Sequence, residues 1–329
     1  MHPHTFERLH AEGLISESSV EKVKAVSANK LFSLHWELKT VLYLGVLLLS
    51  TGLGILVYKN IDTIGHQVIL LFIAAVSAGC FYYCNKRKQP FSFSKVPAPD
   101  ALPDYLLLLG CLTFVSFIAY IQFQYAIFGD HLRLAGFIPL VVLFFCAYYF
   151  DHLGVLSLAI TNLAAWMGIV VTPLRILREN DFNSETLIYT GIVLGVLLIA
   201  AGELSRYRNI KAHFRFTYVN IGAHVLFISL LAGMFHFEHL FYLFIMAVMG
   251  TALYFYKQAL KDHSFYFMLI LTLYSYIALS YLVIRLLMLA QDIDLGAVYL
   301  ILFYFIGSGV GLILFLINLN KKIKQNAGI

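Results

Sequence analysis

Apolar residues gather in ten long runs, and polar residues are almost confined to the gaps between them. The runs cover about 38–58, 66–84, 104–126, 134–150, 153–172, 186–204, 216–235, 239–256, 264–289 and 296–318. About 20 apolar residues are enough to cross the hydrocarbon core of a bilayer as a helix. Membrane barrel strands are shorter and alternate apolar with polar positions; these runs are continuous. The pattern therefore predicts an all-α fold, a polytopic integral membrane helix bundle of about ten transmembrane helices. Only Asp151 and His152 separate the fourth run from the fifth, and Pro139 interrupts the fourth, so this pair is the weakest point of the count.

Residues 1–37 are polar and form the one sizeable piece outside the runs. Segments 4–11 and 19–30 read as short helices broken at Gly13, with Ser18 and Glu21 in the spacing of a capping box. No short apolar core with a small-residue cleavage site is present, so the first run is expected to be an uncleaved anchor. The organisation expected is a cytoplasmic N-terminal helical segment at 1–37, a ten-span domain at 38–318 and a basic tail at 319–329.

Charge adds direction. Of the 23 Lys and Arg, 18 fall in the N-terminal segment together with Lys39 at the edge of the first run, the second, sixth and eighth connections and the C-terminal tail. Four lie in the odd-numbered connections (Lys59, Arg133, Arg175, Arg178), and apart from Lys39 at the edge of the first run Arg285 alone lies within a run. Basic residues flanking spans are held on the cytoplasmic side, which predicts both termini in the cytoplasm. The same surplus is explained by this threading and by anionic lipid, so nucleic acid is not an expected partner. With 60% hydrophobic and 12% charged residues and a mean hydropathy of +0.81, the chain is far from a soluble domain. All four cysteines (Cys80, Cys84, Cys111, Cys146) lie in runs and read as small apolar residues.

Small residues recur at four-residue spacing in Gly191/Gly195, Ala164/Gly168 and Gly307/Gly311, a pattern that lets helices approach closely in lipid. Leu42-Tyr43-Leu44-Gly45 and Ile188-Tyr189-Thr190-Gly191 open the first and sixth runs alike, a faint echo of an inverted repeat.

The N-terminal stretch through the first run resembles a family of bacterial predicted membrane proteins, domain of unknown function 2157. The Gly13-Leu14-Ile15-Ser16 element and Gly45, Gly52 and Gly54 carry the resemblance, which spans about the first 60 residues. It implies a bacterial inner-membrane setting and brings no catalytic residues.

Ionisable and amide side chains at membrane depth are the remaining candidates for chemistry. Asn220 and His224 are one turn apart on the seventh run, and Asn162 and Trp166 on the fifth; together they form a possible polar cavity. Glu203, with Arg206 three residues on, reads as a helix-end ion pair. Arg285 reads as an interfacial anchor that snorkels toward Asp292 and Asp294. His236, Glu238 and His239 form half of a metal site that would need His131, His66 or Asp130 from other turns to complete it. No phosphate-binding loop, zinc-protease helix, dinucleotide fingerprint or serine elbow occurs, and no cofactor is expected. The functional expectation is a non-catalytic membrane scaffold or complex partner. The alternatives are a secondary transporter or permease of a small solute, and a membrane enzyme on lipid-linked substrates using Asp151-His152 or the 236–239 turn. Partners expected are the lipid bilayer, other membrane proteins or a small solute.

Overall fold

Each apolar run becomes one helix. In the computed structural model, which describes residues 12, 16–19, 35–59, 65–96, 102–129, 131–171, 185–262, 264–290 and 295–326, ten helices follow one another. They are α1 (His35–Lys59), α2 (His66–Arg87), α3 (Leu102–Tyr125), α4 (Leu132–Phe150), α5 (Leu153–Val171), α6 (Glu185–Tyr207), α7 (Arg215–His236), α8 (Phe241–Lys261), α9 (Phe265–Ala290) and α10 (Leu295–Asn326). A short 3-10 turn, Ala212–Phe214, precedes α7. Among the described residues nine helices are long and apolar enough to cross a membrane, and α5 is a shorter apolar helix. The protein is a polytopic membrane helix bundle. The segment 1–37 lies largely outside the described residues, and α10 runs on into the 319–329 tail as far as Asn326.

The doubtful division between the fourth and fifth runs is a two-residue helical hairpin. Asp151 ends α4 in the left-handed region (φ 60°, ψ 41°), donating its backbone N–H to the Ala147 carbonyl. Aspartate tolerates that conformation better than most residues. His152 starts α5: its Nδ1 accepts the Val155 backbone N–H at 3.0 Å, as an N-cap oxygen would. Pro139 stays within α4.

The most extensively packed helix pair is α6 with α7, followed by α2 with α3 and α4 with α5. The α6–α7 approach is made by glycine. A Cβ on Gly195 would stand 2.8 Å from the Leu226 backbone nitrogen, and one on Gly222 would stand 3.0 Å from the Gly195 carbonyl. The Gly191/Gly195 face is thus a helix seam, whereas Gly307 and Gly311 on α10 have nothing within 4 Å. The α6–α7 pair stands between two buried clusters. One joins α2 to α6 around Leu107, Leu143 and Leu156; the other joins α7, α8 and α9 around Phe227, Val248 and Met268. Helices α1 and α10 lean on this body from the outside: among the described side chains α1 buries none, and α10 buries only Leu319, near its end. The pairing does not repeat between halves, because α6 and α7 are the most intimate pair while α1 packs mainly against α3.

Candidate functional site

The polar side chains of the bundle pair across helices, and the pairings decide what each can do. Asn220 and His224 project from α7 toward α9. Tyr266 donates its hydroxyl to Asn220 Oδ1 at 2.9 Å, and Tyr274 Oη lies 2.8 Å from His224 Nδ1. His224 Nε2 lies 3.4 Å from the same Tyr266 hydroxyl, so two tyrosines and two polar groups form one ladder. Asn162 and Trp166 face elsewhere, toward the start of α4. Asn162 Nδ2 donates to the Gly136 carbonyl at 3.2 Å, and Trp166 Nε1 to the Arg133 carbonyl at 2.9 Å. Gly136 has no side chain because the indole occupies that space; a Cβ there would meet Trp166 at 2.9 Å. The four residues expected to share one polar cavity are instead split between two separate helix contacts.

Glu203 pairs with Arg215 of α7, at 2.8 Å from Nη2 and 3.0 Å from Nε, rather than with Arg206. Arg215 also reaches Asp262 at 3.0 Å, and Gln258 donates to the same carboxylate at 2.7 Å. Burial acts to raise the Asp262 pKa, but hydrogen bonds from Gln258 and Arg215 outweigh it and leave the group below its ordinary value. This triad ties α6, α7 and the end of α8 together.

At the opposite end, Arg285 turns to Glu238. Its guanidinium donates to the Tyr281 hydroxyl at 3.0 Å and the Glu238 carbonyl at 3.3 Å, and lies 5.1 Å from the centroid of the Phe241 ring. Asp292 and Asp294 lie outside the described residues. Among the described residues the 236–239 turn does not assemble a ligand set. His236 points to Glu185 at 3.8 Å, Glu238 is engaged by Arg285 at 3.6 Å, and His66 bonds the Tyr120 hydroxyl at 2.7 Å. Among the described residues no group of three or more His, Cys, Asp or Glu side chains could hold a metal ion. Asp130 lies outside them.

One constellation was not legible as a unit. Asp151, in the α4–α5 turn, is 5% exposed and receives the Val96 backbone N–H on Oδ2 at 2.7 Å. Its Oδ1 lies 3.0 Å from Lys211 Nζ and 2.8 Å from His213 Nε2, close contacts whose angles do not make hydrogen bonds. Lys211 is 1% exposed, and its backbone N–H donates to the Phe93 carbonyl at 2.8 Å. Next to it, His152 is buried with its Nε2 unpartnered. Burial lowers its pKa; nearby Asp104 opposes that, and Lys39 adds to it. The local signals were an acid in a two-residue gap and a Lys-Ala-His triplet. Their meeting joins positions 55 to 117 residues apart, which no helical spacing encodes.

Two cavities accompany these groups. A space of about 440 Å³ opens between α1, α2 and α3, lined by residues such as Leu53, Phe72, Val76, Thr113 and Phe123, with the unpartnered Ser50 hydroxyl on its wall. A smaller one of about 220 Å³ lies against α7, α9 and α10 near Phe235, Tyr276 and Phe305. Both are mainly apolar, and neither is lined by Asn162, Asn220, His224 or the Asp151 group.

No curated protein matches the chain, and no solved structure matches it. A family model described as a predicted membrane protein matches residues 7–156, just under half of the chain. The match reaches well past the first 60 residues, through α1 to α4 and into the first turn of α5. Over that segment the chain is similar to the predicted membrane protein family of domain of unknown function 2157.

Proposed function

We propose that this protein is a non-catalytic multi-pass scaffold or complex partner of the bacterial inner membrane, with both termini in the cytoplasm. The observation that carries the reading is that the polar groups at depth are spent on neighbouring helices. Asn220 and His224, the best candidates for a transport path, bond to Tyr266 and Tyr274, and neither cavity is lined by them. A permease needs a polar route open to at least one side, and an enzyme needs convergent acid, base or metal groups. A partner protein needs free helix faces. Helices α1 and α10 have them, with Gly45 and Gly52 on one and Gly307, Gly309 and Gly311 on the other, each with nothing within 4 Å. In lipid such positions let a second helix approach closely.

The orientation rests on the sorting of basic residues together with the ties between connections. Val96 is bonded to Asp151, Lys211 to Phe93, and Arg215 to Asp262, which gathers the even-numbered connections at one end. That end carries most of the Lys and Arg, and basic ends face the cytoplasm.

Photo-crosslinking in the native membrane tests the reading. A photoreactive residue at Gly307 or Gly52 is expected to give a discrete adduct of higher mass, and one at Phe72, on the α1–α3 cavity wall, is not. Solute-driven proton flux in proteoliposomes, abolished by Asn220→Ala or His224→Ala, would replace it with the transport reading.

A further inference from the structure

The connection from α2 to α3 is built unlike a tether. Three ties hold it from beneath: Val96 N–H to Asp151, Lys211 N–H to the Phe93 carbonyl, and Lys211 Nζ to the Ser94 carbonyl at 3.5 Å. Two of the groups that make these ties, the Asp151 carboxylate and the Lys211 side chain, are almost wholly withdrawn from solvent. What the pinned connection displays is the reverse of what it hides. Phe91 is 52% exposed and Phe93 is 59% exposed, ring against ring at 5.3 Å. Lys86, Arg87, Lys88 and Lys95 are exposed around them, and Arg206 and Arg208 are exposed on the adjoining end of α6.

Three described acids at this end are already engaged. Asp151 serves Lys211 and His213, and Glu203 and Asp262 serve Arg215. Among the described residues none of the six exposed cations has a carboxylate partner. Arg87 and Lys88 lie over the rings of Tyr83 and Tyr149, contacts that leave their charge uncompensated. Exposed phenylalanines amid such Lys and Arg at a helix end suit the headgroup layer. There the rings reach the upper acyl region and the cations meet phosphates. In bulk water the same rings would remain hydrated without benefit.

We propose that the 86–95 connection, with Arg206 and Arg208, is a pre-set binding surface for anionic phospholipid headgroups. The inference goes beyond the scaffold reading and takes from it only the leaflet, the cytoplasmic one. The buried Asp151–Lys211 tie holds the surface in shape, so the ordering of the loop precedes lipid contact.

Spin-label spectroscopy tests it on the full chain in phosphatidylcholine vesicles at low salt. Labelled phosphatidylglycerol should be immobilised several-fold more than labelled phosphatidylcholine, and the ratio should fall as salt is added. Lys88→Gln with Lys95→Gln should bring the ratio toward parity. Asp151→Asn separates pre-set geometry from diffuse charge. It makes this end more positive, so simple attraction requires a higher ratio, whereas loss of the tie requires a lower one. Should that variant fail to reach the membrane, Phe93→Ser, with charge unchanged, is expected to lower the ratio in its place. A ratio unchanged or raised by Asp151→Asn, or by Phe93→Ser in its stead, overturns the proposal. So does displacement of the labelled lipid by millimolar inorganic phosphate, which would make the ligand a soluble phosphate. Equal immobilisation of both lipids alongside capture of an acidic peptide would assign the surface to a protein and likewise overturn it.

Discussion

At the residue scale, the polar groups on the helices act as joints between them. The Asn220–Tyr266 bond joins α7 to α9 at 2.9 Å. Interhelical hydrogen bonds in membrane proteins contribute about 0.6 kcal/mol on average and roughly 1.7 at most. A double-mutant cycle with Asn220→Ala and Tyr266→Phe should therefore return a coupling in that range in a reversible unfolding assay; zero coupling would remove the joint. His152 gives a pH prediction. Its ring is buried and its pKa lies below the ordinary value of 6.5, first through burial. The folded state keeps the imidazole neutral while the unfolded chain takes up a proton as pH falls below that value, so stability is lost on acidification through the region just under 6.5. His152→Asn retains a side-chain cap for the Val155 N–H and removes the titration. Melting temperatures between about pH 7.5 and about pH 5.5 should slope for the natural chain and flatten for the variant.

At the element scale, glycine separates helices that must pack from helices that remain free. Gly195 faces the α7 backbone at a distance no Cβ can share, and Gly307 faces open space. Gly195→Ala should destabilise the bundle by roughly 1–3 kcal/mol, the range for overpacking a filled interior. Gly307→Ala should leave unfolding within experimental scatter or raise stability slightly through helix propensity. If both variants behave alike, the α6–α7 seam is not as described. The three small-residue pairs look equivalent in sequence, because spacing shows that a face is small and says nothing of what lies opposite. Only the partner helix distinguishes a seam from a free surface.

At the scale of the molecule, the ties between connections make topology a single testable object. If the basic end is cytoplasmic, Lys88→Cys should resist a membrane-impermeant thiol reagent in intact cells. Ile127→Cys, 57% exposed in the natural side chain on the opposite connection, should react. The four native cysteines are buried, so background labelling should be low. Reversed reactivity would invert the assignment and move the proposed headgroup surface to the other leaflet. The family match ends at residue 156, in the first turn of α5, so it covers most of the first packing cluster and none of the second.

Within that whole, the sequence alone determined the helices, their number and the sorting of charge. These properties are local: an apolar run in lipid must satisfy its backbone within itself, and a basic flank is held on one side by its own charge. The division at Asp151-His152 was legible for the same reason. Partnerships between side chains were not. Glu203 had Arg206 at helical spacing yet pairs with Arg215, and Asn162 and Asn220 looked like lining for one cavity yet face different helices. The Asp151–Lys211 tie, joining the fourth connection to the sixth, had no periodic signature at all. Tertiary structure decided these matters because inside a bilayer every helix is apolar all round. Hydrophobic pattern therefore cannot say which face turns inward, and the choice falls to close packing at glycines and to a few hydrogen bonds.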